Sequence, residues 1–251
     1  MKTSIVIPFY NHAGAIASVV DALKPLDLYC FIVDDGSDAQ AQQVLSQIAI
    51  RESWVKILRL PHNSGKGAAV MAGCDAALAA GFTHALQIDA DGQHDVADAA
   101  SLLAQSRLHP AAMISGEAIY DSTVPRSRHY GRYLTHLWVW INTLSFDIRD
   151  SMCGLRVYPL AATCDIWRAH RIGRRMDFDT EIMVRLHWNG LHIIAVPARV
   201  TYPRDGVSHF KMLKDNVFIS RMHTRLFFGM LWRLPALLTR RLTHRGPKAF
   251  V

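Results

Sequence analysis

The chain has 251 residues, half of them hydrophobic, with 28 Lys/Arg against 21 Asp/Glu. That gives one large domain, or a domain with a small appendage, and a sizeable core; no internal repeat or low-complexity segment is visible. The four scattered cysteines (Cys30, Cys74, Cys153, Cys164) show no paired ligand spacing and fit a reduced, cytoplasmic setting, while the opening Met1–Pro8 lacks the apolar stretch of a signal peptide and no apolar run reaches the roughly 18 residues of a membrane span.

The N-terminal half alternates strand and helix. Short apolar runs at Ser4–Phe9, Tyr29–Val33, Val55–Leu60, His84–Ile88 and Ala112–Ser115 read as strands. Between them Ala13–Leu23, Ala39–Arg51, Gly67–Ala80 and Val96–Leu108 read as helices, the third rich in small residues that suit close packing on a sheet. Repeated βαβ units predict an α/β fold, a mostly parallel sheet flanked by helices. After Gly116 the pattern loosens. Tyr120–Arg132 reads as a basic loop, Leu134–Phe146 as a helix, Gly154–Tyr158 as a strand, and Asp179–Asn189 as a helix closed by Gly190. His192–Val200 is a strand whose Pro197 places it at an edge, and Ser208 onward is a basic amphipathic helix.

Four strand tips carry polar residues, and in a parallel sheet they fall on one edge, where α/β sheets bind ligands. The first tip is Pro8-Phe9-Tyr10-Asn11 and the second Asp34-Asp35-Gly36-Ser37. The third is followed by Asn63-Ser64-Gly65-Lys66-Gly67, and the fourth ends in Asp89-Ala90-Asp91. The last pair offers hard oxygen ligands for a divalent cation that also holds a diphosphate. Read singly, each segment is equally a turn or a helix cap. Asn63–Gly67 is not a Walker A loop. It is the coincidence of all four on one edge that predicts a nucleotide-diphosphate site.

Together, Ile5-Val-Ile-Pro-Phe-Tyr-Asn11, Val33-Asp-Asp-Gly-Ser37, Asn63-Ser-Gly-Lys-Gly-Ala68 and Asp89-Ala-Asp-Gly-Gln-His94 resemble the family 2 glycosyltransferases, in order and in spacing. The likeness runs over roughly residues 2–210 and is closest to the dolichol- or polyprenyl-phosphate sugar synthases. It implies a GT-A fold and inverting sugar transfer from a nucleotide-diphosphate donor with Mg²⁺ or Mn²⁺. By motif, Pro8, Tyr10, Asn11, Asp35, Lys66 and the Asp89-Ala90-Asp91 turn line the donor, with Asp89, Asp91 and Gln93 on the metal. One departure stands out: His12 occupies the place where the family usually has Glu.

The resemblance extends into the second half. Asp150-Ser-Met-Cys-Gly154-Leu-Arg156 matches a family segment in which a carboxylate lies under the sugar and Arg156 offsets phosphate charge. Met176-Asp-Phe-Asp179-Thr-Glu181 matches the position of the family's catalytic acids, with Asp179 the first candidate base and Glu181 the second, alongside Asp150. An anionic lipid-phosphate acceptor would need no strong base. In Tyr202–Lys211, Arg204, Ser208 and Lys211 match an element that closes over the donor phosphates.

From Arg199 onward there are eleven Lys/Arg and two Asp, against 17 Lys/Arg and 19 Asp/Glu before it. The basicity belongs to the tail, where Val217, Ile219, Met222, Leu226, Phe227, Met230, Leu231, Leu234, Leu237 and Leu238 are interleaved with Lys214, Arg221, Arg225, Arg233, Arg240 and Arg241. Such a helix either packs on the domain or lies on an anionic membrane surface, the expected partner here; nucleic acid is not, since no reader module is recognisable.

The expected plan is a glycosyltransferase domain over 1–208, with a nucleotide half 1–116 and an acceptor half 117–208, then a tail over 209–251. The expected protein is peripheral on the cytoplasmic face of a membrane and acts on a lipid-linked or membrane-proximal acceptor. Two other readings remain. A sugar-1-phosphate nucleotidyltransferase would need a Gly-rich, Arg-containing loop where Pro8–His12 stands. A non-catalytic nucleotide-sugar-binding relative would be expected to have lost Asp89, Asp91, Asp179 and Glu181, all of which are present.

Overall fold

The computed structural model describes residues 1–120, 126–200 and 212–243. In chain order the first half runs β1 (Thr3–Phe9), α1 (Ala13–Leu23), β2 (Cys30–Asp34), α2 (Ala39–Arg51), β3 (Val55–Arg59), α3 (Lys66–Ala79), β4 (His84–Gln87) and α4 (Val96–Leu108). It continues with β5 (Met113–Tyr120), α5 (Arg126–Thr143), β6 (Arg156–Pro159), α6 (Leu160–Ala169), α7 (Phe178–Trp188), β7 (Ile193–Val200) and α8 (Met212–Thr243).

The seven strands form one sheet in the order β3-β2-β1-β4-β6-β5-β7. All pairings are parallel except those of β6, which runs against β4 and β5. β1, β2 and β4 are buried along their whole length, as continuous apolar runs in a parallel sheet covered on both faces should be. Pro197 lies within β7, the edge strand beside β5. One core cluster gathers Ile5, Ile7, Leu45, Leu86, Leu102 and Val157; a second joins Val6, Phe31, Val70, Phe178, Met183 and Leu226.

Small residues let helices reach the sheet and each other. A Cβ on Gly73 would lie 2.5 Å from Val6 Cγ1, and one on Gly67 would lie 2.4 Å from Phe178 Cβ. The second contact has a functional consequence: it seats the start of α7 against the start of α3. Asp38 and Asp95 cap α2 and α4 through their side chains. Gly190, at φ +86°, follows the last turn of α7, where Leu191 N donates to Leu186 O.

Three features depart from the sequence reading. The basic segment before Arg132 is already helical from Arg126, because Arg132 and His136, one turn apart on α5, both face Asp150. α6 starts at Leu160, directly after Pro159 and with no side-chain cap, so no start signal marks it in the sequence. α8 runs unbroken through Pro235, and its Met222, Leu226, Met230 and Leu237 are buried in the second core, so one face of the tail packs on the domain. The expected boundary at 208/209 lies outside the described residues.

Candidate functional site

The carboxyl ends of β1, β2 and β4 meet in one place, and their side chains brace one another. Asn11, with φ +53°, donates its N–H to Ser37 Oγ (3.1 Å), and its Oδ1 accepts from Asp38 N (3.0 Å). Asp34 accepts from Ser37 N (2.9 Å) and Arg59 Nε (3.0 Å). Asp35, almost fully buried, accepts from Ser64 N (2.7 Å) and Gly65 N (2.8 Å). Burial pushes the Asp35 carboxyl upward, against the pull of those two N–H groups and of Arg175. Asp35 therefore shapes the Asn63–Gly67 loop. Pro8 is buried opposite Val33, and Tyr10 is half-buried beyond it.

Gly65, at φ +105°, tolerates no side chain, because a Cβ there would lie 2.4 Å from Arg174 O. The Arg174 carbonyl accepts from Ala68 N (3.0 Å), and Arg175 Nη1 donates to Asn63 Oδ1 (3.2 Å). The Gly173–Arg175 segment thus closes one wall of the site. It carries no recognisable motif, and only the Arg-Arg pair ahead of Asp177 hints at it.

At the centre is a cluster of opposite charges. Lys66 Nζ lies 2.9 Å from Asp89 Oδ2 and 3.0 Å from Asp179 Oδ2. Burial works against the Lys66 charge, but Asp179 and Asp89 outweigh it and hold the amine protonated far above its ordinary range. Burial likewise opposes the charge on Asp89, yet Lys66 and His94 keep its carboxyl below the usual value. Asp91, raised by burial and by Asp89 beside it, takes the opposite direction. The Asp89-Ala90-Asp91 turn is fixed by Gln93 N donating to Asp91 Oδ1 (3.1 Å), with Ala90 buried beneath.

The fit to a divalent cation rests on Asp89. Its Oδ1 is buried with no hydrogen-bond partner, and Gly154 forms the cradle around the carboxylate: a Cβ on Gly154 would lie 2.2 Å from Oδ2. Among the described residues no group of three or more His, Cys, Asp or Glu side chains could hold a metal ion by itself. Two carboxylates beside an open edge suit a hard cation that takes its remaining ligands from water and a diphosphate.

The other expected residues occupy different depths. Arg156 is fully buried, donating to Cys153 O (2.7 Å), Asp179 O (2.7 Å) and Ser151 O (2.8 Å), with Asp179 Oδ1 at 3.3 Å. It has the place of a strut beneath Asp179, and its burial keeps it from a donor phosphate. Asp150 accepts from Ala118 N, Met152 N, Cys153 N and Arg132 Nη2 at 2.5–3.2 Å. Burial opposes its charge, but the His136 ring, Arg132 and those N–H groups hold its carboxyl well below the usual range. A carboxylate so saturated anchors α5 and the 150–154 turn and accepts no further proton at neutral pH.

Glu181 is fully buried, accepting from Gly173 N (2.9 Å), Arg185 Nε (2.8 Å) and Arg225 on α8. Two residues along a helix point to opposite sides. Asp179 therefore faces Lys66 while Glu181 faces α8, and of the two only Asp179 belongs to the cluster. Arg204, Ser208 and Lys211 lie outside the described residues.

Residues 4–168 match the model of Glycosyl transferase family 2. The chain is 25% identical over 230 residues to the polyprenol monophosphomannose synthase of Mycolicibacterium smegmatis, covering 86% of this chain and 83% of that one. It is 23% identical over 218 residues to a dolichyl-phosphate beta-glucosyltransferase of Trichomonas vaginalis, covering 78% of this chain and 62% of that longer relative. In fold it resembles glucosyl-3-phosphoglycerate synthase from Mycobacterium tuberculosis, crystallised with Mn²⁺ and UDP-glucose (TM-score 0.65, 15% identity, 91% of this chain and 78% of that one). It also resembles residues 1–349 of S. aureus TarS in complex with UDP (TM-score 0.60, 16% identity, 98% and 73% covered).

Proposed function

The chain belongs to glycosyl transferase family 2 and has the GT-A-type sheet its motifs led us to expect, and from that premise we propose that it moves a sugar from a nucleotide-diphosphate donor to a lipid-linked phosphate at a membrane surface, with Mg²⁺ or Mn²⁺. The observation that carries this reading is the Asp89 carboxylate, cradled by Gly154 at the tip of β4 with one oxygen buried and unpartnered. Asp89 and Asp91 would hold the metal, with Gln93 beside them. When bound, the ion neutralises charge gathering on the departing nucleoside diphosphate.

The chain's own residues supply the rest. Tyr10 and the loop shaped by Asp35 face the nucleoside, and Lys66 adds a cation next to the diphosphate. Asp179 is held between Lys66 and Arg156, which fixes its orientation and disperses its charge. Against a hydroxyl acceptor Asp179 is the base; against a phosphate, already anionic, it positions Lys66 and needs no proton transfer. The transfer proceeds with inversion, the acceptor entering opposite the diphosphate. Arg204, Ser208 and Lys211 would close over the phosphates.

The acceptor class is supported by the names of the relatives, which act on polyprenol and dolichyl phosphates. It is supported also by the outer face of α5 and α8. Arg221, Phe228 and Trp232 recur at helical spacing on one side of α8, with Trp232 87% exposed. On α5, Leu134, Leu137 and Trp138 form a second exposed stripe, and Trp138 meets Phe227 across the seam (centroids 6.2 Å). A basic and aromatic face of this kind suits the interface of an anionic bilayer. Among the described residues no helix is long and apolar enough to cross a membrane. We place the protein peripherally, on the cytoplasmic face.

The test is a thermal-shift screen of UDP-, GDP- and dTDP-sugars with and without Mn²⁺. Stabilisation by one nucleotide class, larger with Mn²⁺, supports the reading. Stabilisation by none rejects it.

A further inference from the structure

Lys66 lies between two carboxylates of the site, one of which, Asp89, would hold the metal ion. Its ammonium bridges Asp89 Oδ2 (2.9 Å) and Asp179 Oδ2 (3.0 Å); Asp89 keeps a buried Oδ1 with no hydrogen-bond partner, while Asp179 Oδ1 lies 3.3 Å from Arg156 Nη1. Asp89 has no freedom to turn away, because Gly154 lies against it so closely that even a Cβ would overlap the carboxylate. Asp179 is pinned from below by the buried Arg156. The mobile partner is Lys66, a charge on a flexible four-carbon stem at the first position of α3.

The charges make the same point. Asp89, Asp91 and Asp179 set three negative charges against two positive ones on Lys66 and Arg156. A divalent cation alone would reverse the sign of the cluster, whereas a divalent cation with a diphosphate would restore it. A cation arriving without nucleotide therefore meets the Lys66 ammonium on the same carboxylate.

We propose that Lys66 is a built-in counter-cation, which balances Asp89 in the donor-free protein and yields it to the divalent ion as its ammonium turns to the donor's diphosphate. This rests on the reading of Asp89 as the metal carboxylate. It makes metal and nucleotide binding cooperative through one side chain, because the nucleotide supplies the new partner that releases Lys66.

The experiment is Mn²⁺ titration of the full-length protein, by calorimetry or by the spin-resonance signal of free Mn²⁺, with and without UDP. Lys66→Met is expected to bind Mn²⁺ about tenfold more tightly than wild type without nucleotide, as removal of a like charge a few ångströms away implies. The gain that UDP gives to Mn²⁺ affinity should shrink in the variant. A folded Lys66→Met whose Mn²⁺ affinity is unchanged or weaker overturns the proposal. A structure of the wild-type protein with Mn²⁺ and UDP tests it independently of any variant's folding. Lys66 should have left hydrogen-bond distance of Asp89, and an intact Lys66–Asp89 pair beside bound Mn²⁺ overturns the proposal. If wild type transfers sugar while Lys66→Met leaves Mn²⁺ affinity unchanged, only the counter-cation role falls. If wild type neither binds Mn²⁺ nor turns over a nucleotide sugar, the underlying reading falls with it.

Discussion

Gly154 and Asp89 are in contact through the absence of a side chain: a Cβ on Gly154 would lie 2.2 Å from Asp89 Oδ2. Asp89 lies just past the end of β4, and Gly154 just before the start of its antiparallel neighbour β6. The turn that follows Asp150 thus sets where the carboxylate can be.

Gly154→Ala is therefore expected to displace the Asp89 carboxylate while leaving the sheet intact. Mn²⁺ affinity should fall by about 10- to 100-fold, the usual cost of disturbing a group that orients a metal ligand. Mn²⁺ titration beside a melting curve checks this. Unchanged affinity in a folded variant would mean that the cradle is not needed.

Asp150→Asn removes a charge that holds Arg132, His136 and three backbone N–H groups. Leaving Arg132 without its carboxylate should destabilise the fold by about 3 kcal/mol, in the range for breaking a buried pair. Urea unfolding reads the loss. A structural anchor also predicts little change in the pH profile of the activity that remains, whereas a catalytic acid would shift it.

Asp179 and Glu181 separate cleanly. Glu181→Gln should lower the melting temperature by loosening Gly173, Arg185 and Arg225, with kcat of the folded fraction within about threefold of wild type, since Glu181 lies off the reacting edge. Asp179→Asn should keep most of the stability and lower kcat by about 100-fold through loss of base or orientation. Equal losses of kcat in both variants would contradict this division.

His223, packed against Trp138 (6.0 Å) and Asn142 (3.4 Å) in the seam of α5 and α8, is lowered to about 4 by burial. Its folded value lies below the unfolded one, so folding excludes a proton. The stability it permits is complete above about pH 6.5 and is lost progressively as pH falls toward about 4, on the order of 3 kcal/mol in all. His223→Gln should flatten that part of the stability profile between pH 4 and 7. A profile as steep as wild type would show that other groups cause it.

The strand tips were legible in the sequence because each ends an apolar run in residues of unusual chemistry. Lys66, Asp89 and Asp91 come together, as strand tips on one edge of a parallel sheet should, and Asp35 holds the loop that leads into Lys66. What those residues touch was not legible. That Asp35 is consumed by Ser64 and Gly65, or that Lys66 bridges Asp89 and Asp179, depends on tertiary approach. That approach is made possible by Gly67 meeting Phe178, more than 100 positions away along the chain. Asp179 and Glu181 look equivalent in the sequence, and only helix geometry sends them to opposite sides. The wall carrying Arg174 and Arg175 leaves only the Arg-Arg pair as a hint, because a backbone carbonyl and an arginine recur throughout a basic chain.

The central claim is that Asp89 and Asp91 hold the metal on which sugar transfer depends. The most direct measurement is release of nucleoside diphosphate from the nucleotide sugar selected by the thermal screen, with polyprenyl phosphate in vesicles and Mn²⁺, for wild type and Asp91→Ala. The account predicts Mn²⁺-dependent turnover by wild type and a loss of at least about 1,000-fold in the variant, as for removal of a principal electrostatic element. Metal-dependent turnover by Asp91→Ala at the wild-type rate would contradict it.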